Sequence, residues 1–545
     1  MNFLKKISWQ AYGIVALFLV AYTVLGIVKH NHFLSGYDLA IVDQIMWKYA
    51  FFHNPLTTIQ AYPFTYLTTD HVEFIYLFLA PLYWIWNDVR MLIFFQALFF
   101  CVSGLPVYAI ARKKGLNQLL SLTLLFSYLF FYGVQNALWN DVHSNVFGAG
   151  FLAWLLYFLE TNNMLGTGVS FFLAITSKED MAFLTLGIGI AWLLQNIFSK
   201  QKKRVDKHPS FFDHCLSFFL QNKTSLALIF FSLLYLFLVF VVYFPHFTLQ
   251  GYRFAGKENM VSAALHLNYF ANTASKREII FVSLGWFGFL PLFAPLFLIP
   301  AFMDLYHFFV IGNLVESAQE IFLHYRVTLA PLLIWPTIMG IAFLLNRHPK
   351  QSEGSVIPSR AEGSHSLKQK TYPMRIFTFV KSAKAKNMAQ NFLSLYLLLC
   401  AFAIQYFLHL PLSYLTKSWF WHESKSVANI NHILTYVPKN ASIVSQNNIT
   451  PHIAHRDNIF TLWGSSMGYK TVQESPCGKI ICPWFHWVGH PQYLIVDTGS
   501  PWDIRHFLQN RPDFLLALHT FEKLGKIKAV RTDGTTTLFK VLQNP

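Results

Sequence analysis

The chain is expected to fold as a mainly α protein: a polytopic bundle of membrane-crossing helices followed by a small soluble α/β domain. Three observations carry this. Apolar windows of about 18–22 residues recur along the first 410 residues, each long enough to cross roughly 30 Å of hydrocarbon. Only 12% of the residues are charged, 54% are hydrophobic, and the mean hydropathy is +0.38, whereas a soluble domain is about a quarter charged. After about Leu410 the apolar runs shorten to strand length. The 56 Phe residues are too many for one aqueous core. The formal charge of +16 does not point to nucleic acid. Its Lys and Arg residues sit in short clusters between apolar windows, as in cytoplasmic loops facing anionic lipid.

The elements follow in order. Lys5-Lys6 precede an apolar run from Ile7 to Val28. It has no small-residue cleavage site after it and reads as a first membrane helix starting in the cytoplasm. The loop 29–72 is then external. In it Leu39, Val42, Ile45 and Met46 share a helical face, which predicts a helix along the membrane surface with Asp38 at its N-terminal end. His71–Trp86, interrupted by Pro81, lies in the interface or dips in. Otherwise Arg112-Lys113-Lys114, after the run Met91–Ala111, would fall outside, against the positive-inside rule. Leu119–Gly133, Val146–Leu159, Leu165–Thr176, Met181–Phe198 and Ser225–Phe244 then alternate across the membrane. Ile279–Ala301 holds Pro291, Pro295 and Pro300 and reads as a re-entrant pair of half-helices, tolerated where protein buries them. Val327–Leu345 returns to a basic segment, Asn346–Lys386, within a cytoplasmic insertion 346–390. Gln351–Lys370 inside it has a disordered composition. Asn391–Leu408 is the last crossing.

This divides the chain into a membrane domain, 1–409, and an extracytoplasmic α/β domain, 410–545. In the latter, strands are expected at Ser442–Ser445, Tyr493–Val496 and Leu538–Val541, and helices at Ser424–Tyr436 and Trp502–Gln509. It shows no Gly-rich phosphate loop, metal-ligand spacing or nucleophile elbow. Cys477 and Cys482 pair if the compartment is oxidising; two free thiols are the equal alternative.

Several blocks carry a resemblance: Gly36-Tyr37-Asp38 through Gln44, Asp70-His71-Val72-Glu73-Phe74, Asn140-Asp141-Val142-His143, Lys178-Glu179-Asp180, His324-Tyr325-Arg326, and Val437–Asn447 with Pro451–Arg456. In them the chain resembles an uncharacterised family of predicted prokaryotic membrane proteins, a domain of unknown function. That family is itself similar to the GT-C glycosyltransferases, which move a sugar from a polyprenyl-phosphate carrier to an acceptor at the outer face of the cell (inner) membrane. The resemblance implies a polyprenyl-phosphate-linked sugar and an acceptor as partners, membrane lipid around the helices, and Asp38 as the acidic residue of the site.

Such chemistry needs a base for the acceptor and cationic stabilisation for the leaving phosphate. Asp38, Asp141 and Glu179 are the candidate catalytic carboxylates. His71, Glu73, His143, Lys178, Asp180, His324 and Arg326 are the candidate substrate-binding groups, and the topology collects all of them on one side. Each has a plainer reading: Asp38 as a helix cap, His71 and Glu73 as interface markers, Lys178-Glu179-Asp180 as a self-neutralising cluster, and Arg326 as an ordinary helix-end residue. Asp43 reads as a polar-face or buried partner. His452, His455 and Arg456 read as surface or packing residues, with acceptor binding as the sharper alternative. Asp141 with His143 is too few ligands to specify a metal; no cofactor is certain, and a divalent cation stays open. A lipid or solute transporter and a non-enzymatic assembly protein are the competing functions. A transporter would place its charges at midplane and show an internal repeat, and neither is evident.

Overall fold

The computed structural model describes residues 7–59, 65–66, 71–201, 211–247, 267–311, 320–346, 382–462, 483–485, 489–499 and 511–543. Asp70, the segment Gln351–Lys370, the pair Cys477 and Cys482, and the helix expected at Trp502–Gln509 lie outside the described residues.

Among the described residues, seven helices are long and apolar enough to cross a membrane: α1 (Trp9–Asn31), Arg90–Lys113, Gln118–Trp139, Met181–Ser199, Ser217–Phe247, His324–Asn346 and Ala383–Leu408. The shorter Ser144–Glu160 and Met164–Ile175 also run from one end of the bundle to the other. Ser144 bonds Glu73 at one end, and Glu160 pairs with Lys114 at 2.6 Å at the other. That second end also joins Asn117 to Gln390 at 2.6 Å and Lys386 to Asn346 at 2.8 Å, so it gathers the basic loops. The bundle interior is packed with aromatic side chains such as Phe100, Tyr128, Trp286 and Trp335. Ala383–Leu408 and Ser217–Phe247 are only 17% and 22% buried, which places them at the periphery with apolar faces left for lipid.

The proline-rich stretch is a hairpin. Ala274–Trp286 enters, the chain reverses at Gly288 (φ 60) and Phe289 (φ 56), and Ile299–Tyr306 comes back. The left-handed backbone at the reversal suits Gly288, and Phe289 adopts it at a cost. Lys276 Nζ donates to the Phe309 carbonyl at 2.8 Å, so both limbs open at the same end. His71–Trp86 forms short helical turns rather than one long helix. Its short helix Ile75–Leu79 begins with the Ile75 amide on the Thr176 carbonyl at 2.9 Å, and Trp84 Nε1 donates to the Ala50 carbonyl at 2.8 Å.

Two elements differ from expectation. The helix expected to cross over Leu119–Gly133 runs on to Trp139, so that Asn136 is buried inside the span Gln118–Trp139, its amide donating to the Ile321 carbonyl at 3.1 Å. The helix expected to lie on the membrane surface, α2 (Tyr37–Ala50), is buried on nearly all sides from Leu39 to Met46. The cause is the C-terminal region, which covers its polar face.

That region contains a five-stranded mixed sheet. The two-residue strands β1 (Leu56–Thr57) and β2 (Thr65–Tyr66) pair separately. The sheet comprises β3 (Ile443–Ser445), β4 (Ile459–Thr461), β5 (Tyr493–Asp497), β6 (Ile527–Asp533) and β7 (Thr536–Val541), in the order β4-β3-β5-β7-β6. β3 runs parallel to β4 and β5, and β7 is antiparallel to β5 and β6. The helix Arg511–Lys523 covers one face through Phe514 and Phe521. The other face, with helix Lys425–Leu434, shares a core with Leu39, Ile45 and Tyr83. Sheet and membrane-side elements are therefore held together by apolar burial as well as by the polar seam.

Candidate functional site: a buried polar chamber

At the end of the bundle where the hairpin opens, five chain segments bring ionisable side chains together. The turn before Ile75 supplies His71 and Glu73. Helix Ser144–Glu160 starts there, with Ser144 Oγ donating to Glu73 Oε1 at 2.5 Å. The turn between Ile175 and Met181 supplies Lys178, Glu179 and Asp180. The returning limb of the hairpin supplies Asp304 and His307. The 3-10 turn His324–Thr328 supplies His324 and Arg326. Glu73, Lys178, Glu179, Asp180, Asp304 and Arg326 are all buried. A helix end or broken helix leaves its side chains at the edge of the apolar core, which is why these breaks coincide with the charges.

The groups interlock. His71 Nδ1 lies 2.7 Å from Glu179 Oε1, and the Val72 amide donates to Glu179 Oε2 at 2.9 Å. Burial alone would raise the Glu179 carboxyl, but the neighbouring His71 ring and Lys178 outweigh it and hold Glu179 below its ordinary range. Burial and Lys178 act against the charge on His71, yet Glu179 prevails and raises it. Burial likewise opposes the charge on Lys178, and Asp180, Glu179 and Glu73 overcome it. Glu73 and Asp180 go the other way, because burial dominates and pushes both carboxyls up. The chamber thus holds a charged lysine beside carboxyl groups of unequal acidity.

His143 stacks on His324 with ring centroids 3.5 Å apart, and burial pulls the His143 imidazole down to about 3. Arg326 lies over the Phe308 ring at 4.6 Å, a cation–π contact. Asp304 Oδ1 accepts from Thr328 Oγ1 at 2.8 Å. Among the described residues, Asp180 Oδ1, Asp304 Oδ2, His307 Nδ1 and Asn145 Oδ1 are buried without a hydrogen-bond partner. Native interiors leave few such atoms, so their clustering at one site marks it as built for something polar.

Asp38 sits at the chamber's edge. It acts electrostatically on the Tyr76 phenol, as Glu73 does, and Tyr76 hydrogen-bonds Ser144. Asp38 is not the helix cap. The N-cap is Gly36, and the first amide, that of Tyr37, donates to Asn447 Oδ1 of the C-terminal region at 2.7 Å. Asp141 holds this start in place. Its Oδ1 is 2.6 Å from Lys29 Nζ, its Oδ2 accepts from the Gly36 amide at 2.8 Å, and its backbone is left-handed at φ 63. A side chain at 36 would place Cβ 3.2 Å from Asp141 Oδ2, so glycine permits the approach. Gln96 clamps the same turn from behind, donating to the Asp141 carbonyl at 3.0 Å and accepting from the His143 amide at 2.7 Å.

The structure therefore gathers His71, Glu73, His143, Lys178, Glu179, Asp180, His324 and Arg326 in one place, with Asp38 and Asp141 at its rim. Asp43, His455 and Arg456 are elsewhere. Asp43 bonds the Tyr83 hydroxyl and lies 3.0 Å from His455 Nε2, and Arg456 donates to the backbone carbonyls of Ile453 and Ala441. His452 stacks between His30 and Phe33. Asp304, His307, Lys29 and Gln96 are site residues that the sequence reading did not single out. An ionisable or amide side chain inside an apolar run was the available signal for Asp304 and Gln96. Among the described residues, no three His, Cys, Asp or Glu side chains are grouped to hold a metal ion.

Residues 29–476 match the family described as Predicted membrane protein (DUF2079). The chain belongs to that family. The match begins at Lys29, the partner of Asp141, and includes every residue of the chamber. It ends within the C-terminal region, before β5. No curated protein matches the chain.

Proposed function

We propose that the protein is a membrane glycosyltransferase of the GT-C kind, moving a sugar from a polyprenyl-phosphate carrier to an acceptor at the extracytoplasmic face of the cell (inner) membrane. One observation carries this reading: a buried polar cluster at the end of an apolar helix bundle combines Lys178 and Arg326 with carboxyl groups, two of whose oxygens, Asp180 Oδ1 and Asp304 Oδ2, have no hydrogen-bond partner among the described residues. A lipid-borne phosphate and a sugar supply the anion and the hydroxyl donors that such a set matches.

In this reading the acceptor oxygen attacks the anomeric carbon while the Asp38 carboxylate takes its proton. The bond from that carbon to the phosphate oxygen breaks, and its electron pair leaves on the phosphate. Arg326 and Lys178 stabilise the charge developing there. Glu179 and Asp141 have both carboxylate oxygens committed, to His71 and the Val72 amide and to Lys29 and the Gly36 amide. They act here as positioning residues, and Asp38 is the catalytic base.

Orientation follows from charge. Arg112, Lys113 and Lys114 lie at the end opposite the chamber, as does Lys386, so the positive-inside rule puts the chamber and the C-terminal region outside. An impermeant thiol reagent on intact cells should label a cysteine at Gln543 and not one at Lys114; the reverse pattern overturns the orientation. The activity test is direct. Purified protein should consume at least one of a panel of polyprenyl-phosphate sugars, and absence of both binding and consumption across the panel overturns the assignment.

A further inference from the structure

The seam between α2 and the C-terminal region opens into a cavity of about 460 Å³. The proposed transfer uses none of its lining. His30 stands at the end of α1, Trp47 on α2, and Arg90 in the first turn of helix Arg90–Val102, while Lys439 and His452 come from the C-terminal region. The other charged groups in its wall are committed. Asp43 is held by Tyr83 and His455, and Arg456 by backbone carbonyls. Asp88 Oδ1 accepts from the Arg90 amide at 2.9 Å, and it stands 3.6 Å from Arg90 Nε.

The cavity wall carries more cations than anions, with Arg90, Lys439 and Arg456 against Asp43 and Asp88. Arg90 and Lys439 supply side-chain cations beside Arg456, and the His30 and His452 rings line the wall, with His30 Nδ1 and His452 Nε2 buried without a hydrogen-bond partner among the described residues. His30 is only 1% exposed, so its unpartnered nitrogen is a real cost unless a ligand meets it. The N-terminus of Arg90–Val102 adds its positive end.

Beside the cavity the surface turns apolar. Trp84, Ile85 and Trp86, just before the Asp88–Arg90 turn, are 62%, 79% and 41% exposed. Phe52, just past α2, is 88% exposed, and the Trp84 bond to the Ala50 carbonyl fixes the two segments side by side. Exposed indoles at the head of a membrane helix belong at headgroup level.

We propose that this cavity holds the phosphate head group of an anionic phospholipid, with its acyl chains lying along Trp84, Ile85 and Trp86. Arg90 and Lys439 pair with the phosphate, and the occupied site ties the C-terminal region to the membrane surface. This is a site separate from the chamber and does not rest on the transferase reading.

The probes are dioleoyl-phosphatidylglycerol and dioleoyl-phosphatidylcholine, offered together to the full chain in detergent and counted by native mass spectrometry. The anionic lipid should be retained preferentially, and Arg90→Gln with Lys439→Gln should reduce its retention by about tenfold or more, the value of one or two lost charge-assisted contacts. Arg90→Lys with Lys439→Arg should keep it, and so should Arg326→Ala in the chamber. Equal retention of the two lipids, or unchanged retention in the charge-removing variant, overturns the site. Displacement by inorganic phosphate alone, or preference for a polyprenyl phosphate over phosphatidylglycerol, overturns the phospholipid as its occupant.

Discussion

Two polar regions lie within a few turns of each other and are built on opposite principles. In the seam above α2, most of the buried polar groups that join the two regions are closed on one another, while His452 Nε2 and Asn447 Nδ2 have no hydrogen-bond partner among the described residues. Gln44 donates to the Arg456 carbonyl at 3.0 Å and accepts from Thr57 Oγ1 at 3.0 Å. Lys48 Nζ reaches the carbonyls of Leu56 and Asp457 at 2.6 and 3.0 Å, and Thr58 Oγ1 donates to the Ile459 carbonyl at 2.6 Å. In the chamber, Asp180, Asp304 and His307 each keep a buried atom with no partner among the described residues. A satisfied network contributes adhesion and a unique fit; an unsatisfied one costs stability and is kept for a task. The seam is thus the structural joint, and the chamber is the candidate site.

Substitutions that sort stability from activity test that contrast. The largest effect is expected at Asp38. Asp38→Asn keeps size and removes basicity, so transfer should fall by about 10²–10⁴-fold with the melting temperature unchanged. Full transfer by this variant assigns the base role to another carboxylate, and Glu73, which acts on the same Tyr76 phenol, is then the next candidate. Arg326→Ala should weaken use of the carrier by about tenfold or more, the value of a lost charge-assisted contact. Arg326→Lys should recover only part of this, because an ammonium lacks the planar fork. Identical donor use by all three forms removes Arg326 from the phosphate.

In the seam the signs reverse. Gln44→Ala should cost about 1–3 kcal/mol for each buried partner it strands, seen as a lower melting temperature, while kcat/KM of the folded protein is unchanged. A loss of transfer without loss of stability there erases the distinction between the two regions. The smallest effect is expected from His71 and Glu179. The raised His71 contributes stability that is complete below its ordinary value of 6.5 and is lost as pH rises through its folded value. The lowered Glu179 contributes stability present above 4.5 and lost as pH falls. The advantage of wild type over His71→Gln should therefore be greatest between pH 4.5 and 6.5, at about 1–2 °C in melting temperature, since such shifts shrink with chain size. A difference that does not shrink as pH is taken well above 6.5 or well below 4.5 shows the pair to be uncharged.

The sequence reading reached most of the chamber because chemistry and position coincided: His71, Glu73, Lys178, Glu179, Asp180 and Arg326 all stand at the ends of apolar runs. It missed Asp304 and His307, which sit on the returning limb of a hairpin read mainly for its prolines. It also missed Lys29 and Gln96, whose roles are to fix other residues. In the C-terminal region it found β3, β5 and β7 from apolar runs of strand length. It missed β4, β6 and helix Arg511–Lys523; β4 is only three residues long, and β6 is exposed over most of its length.

Composition and hydropathy alone determined that this chain is a membrane protein, because the hydrocarbon core admits only long apolar segments whose backbone bonds are internal. Charge clustering fixed which loops share an end. Tertiary structure decided what those loops do. Whether α2 lies bare on the surface or beneath the C-terminal region depends on contacts between residues some 400 positions apart, such as Gln44 with Arg456 and Thr58 with Ile459. No local period encodes such a pairing; it arises when two faces, each half-polar, find an arrangement in which most of their buried donors and acceptors are met.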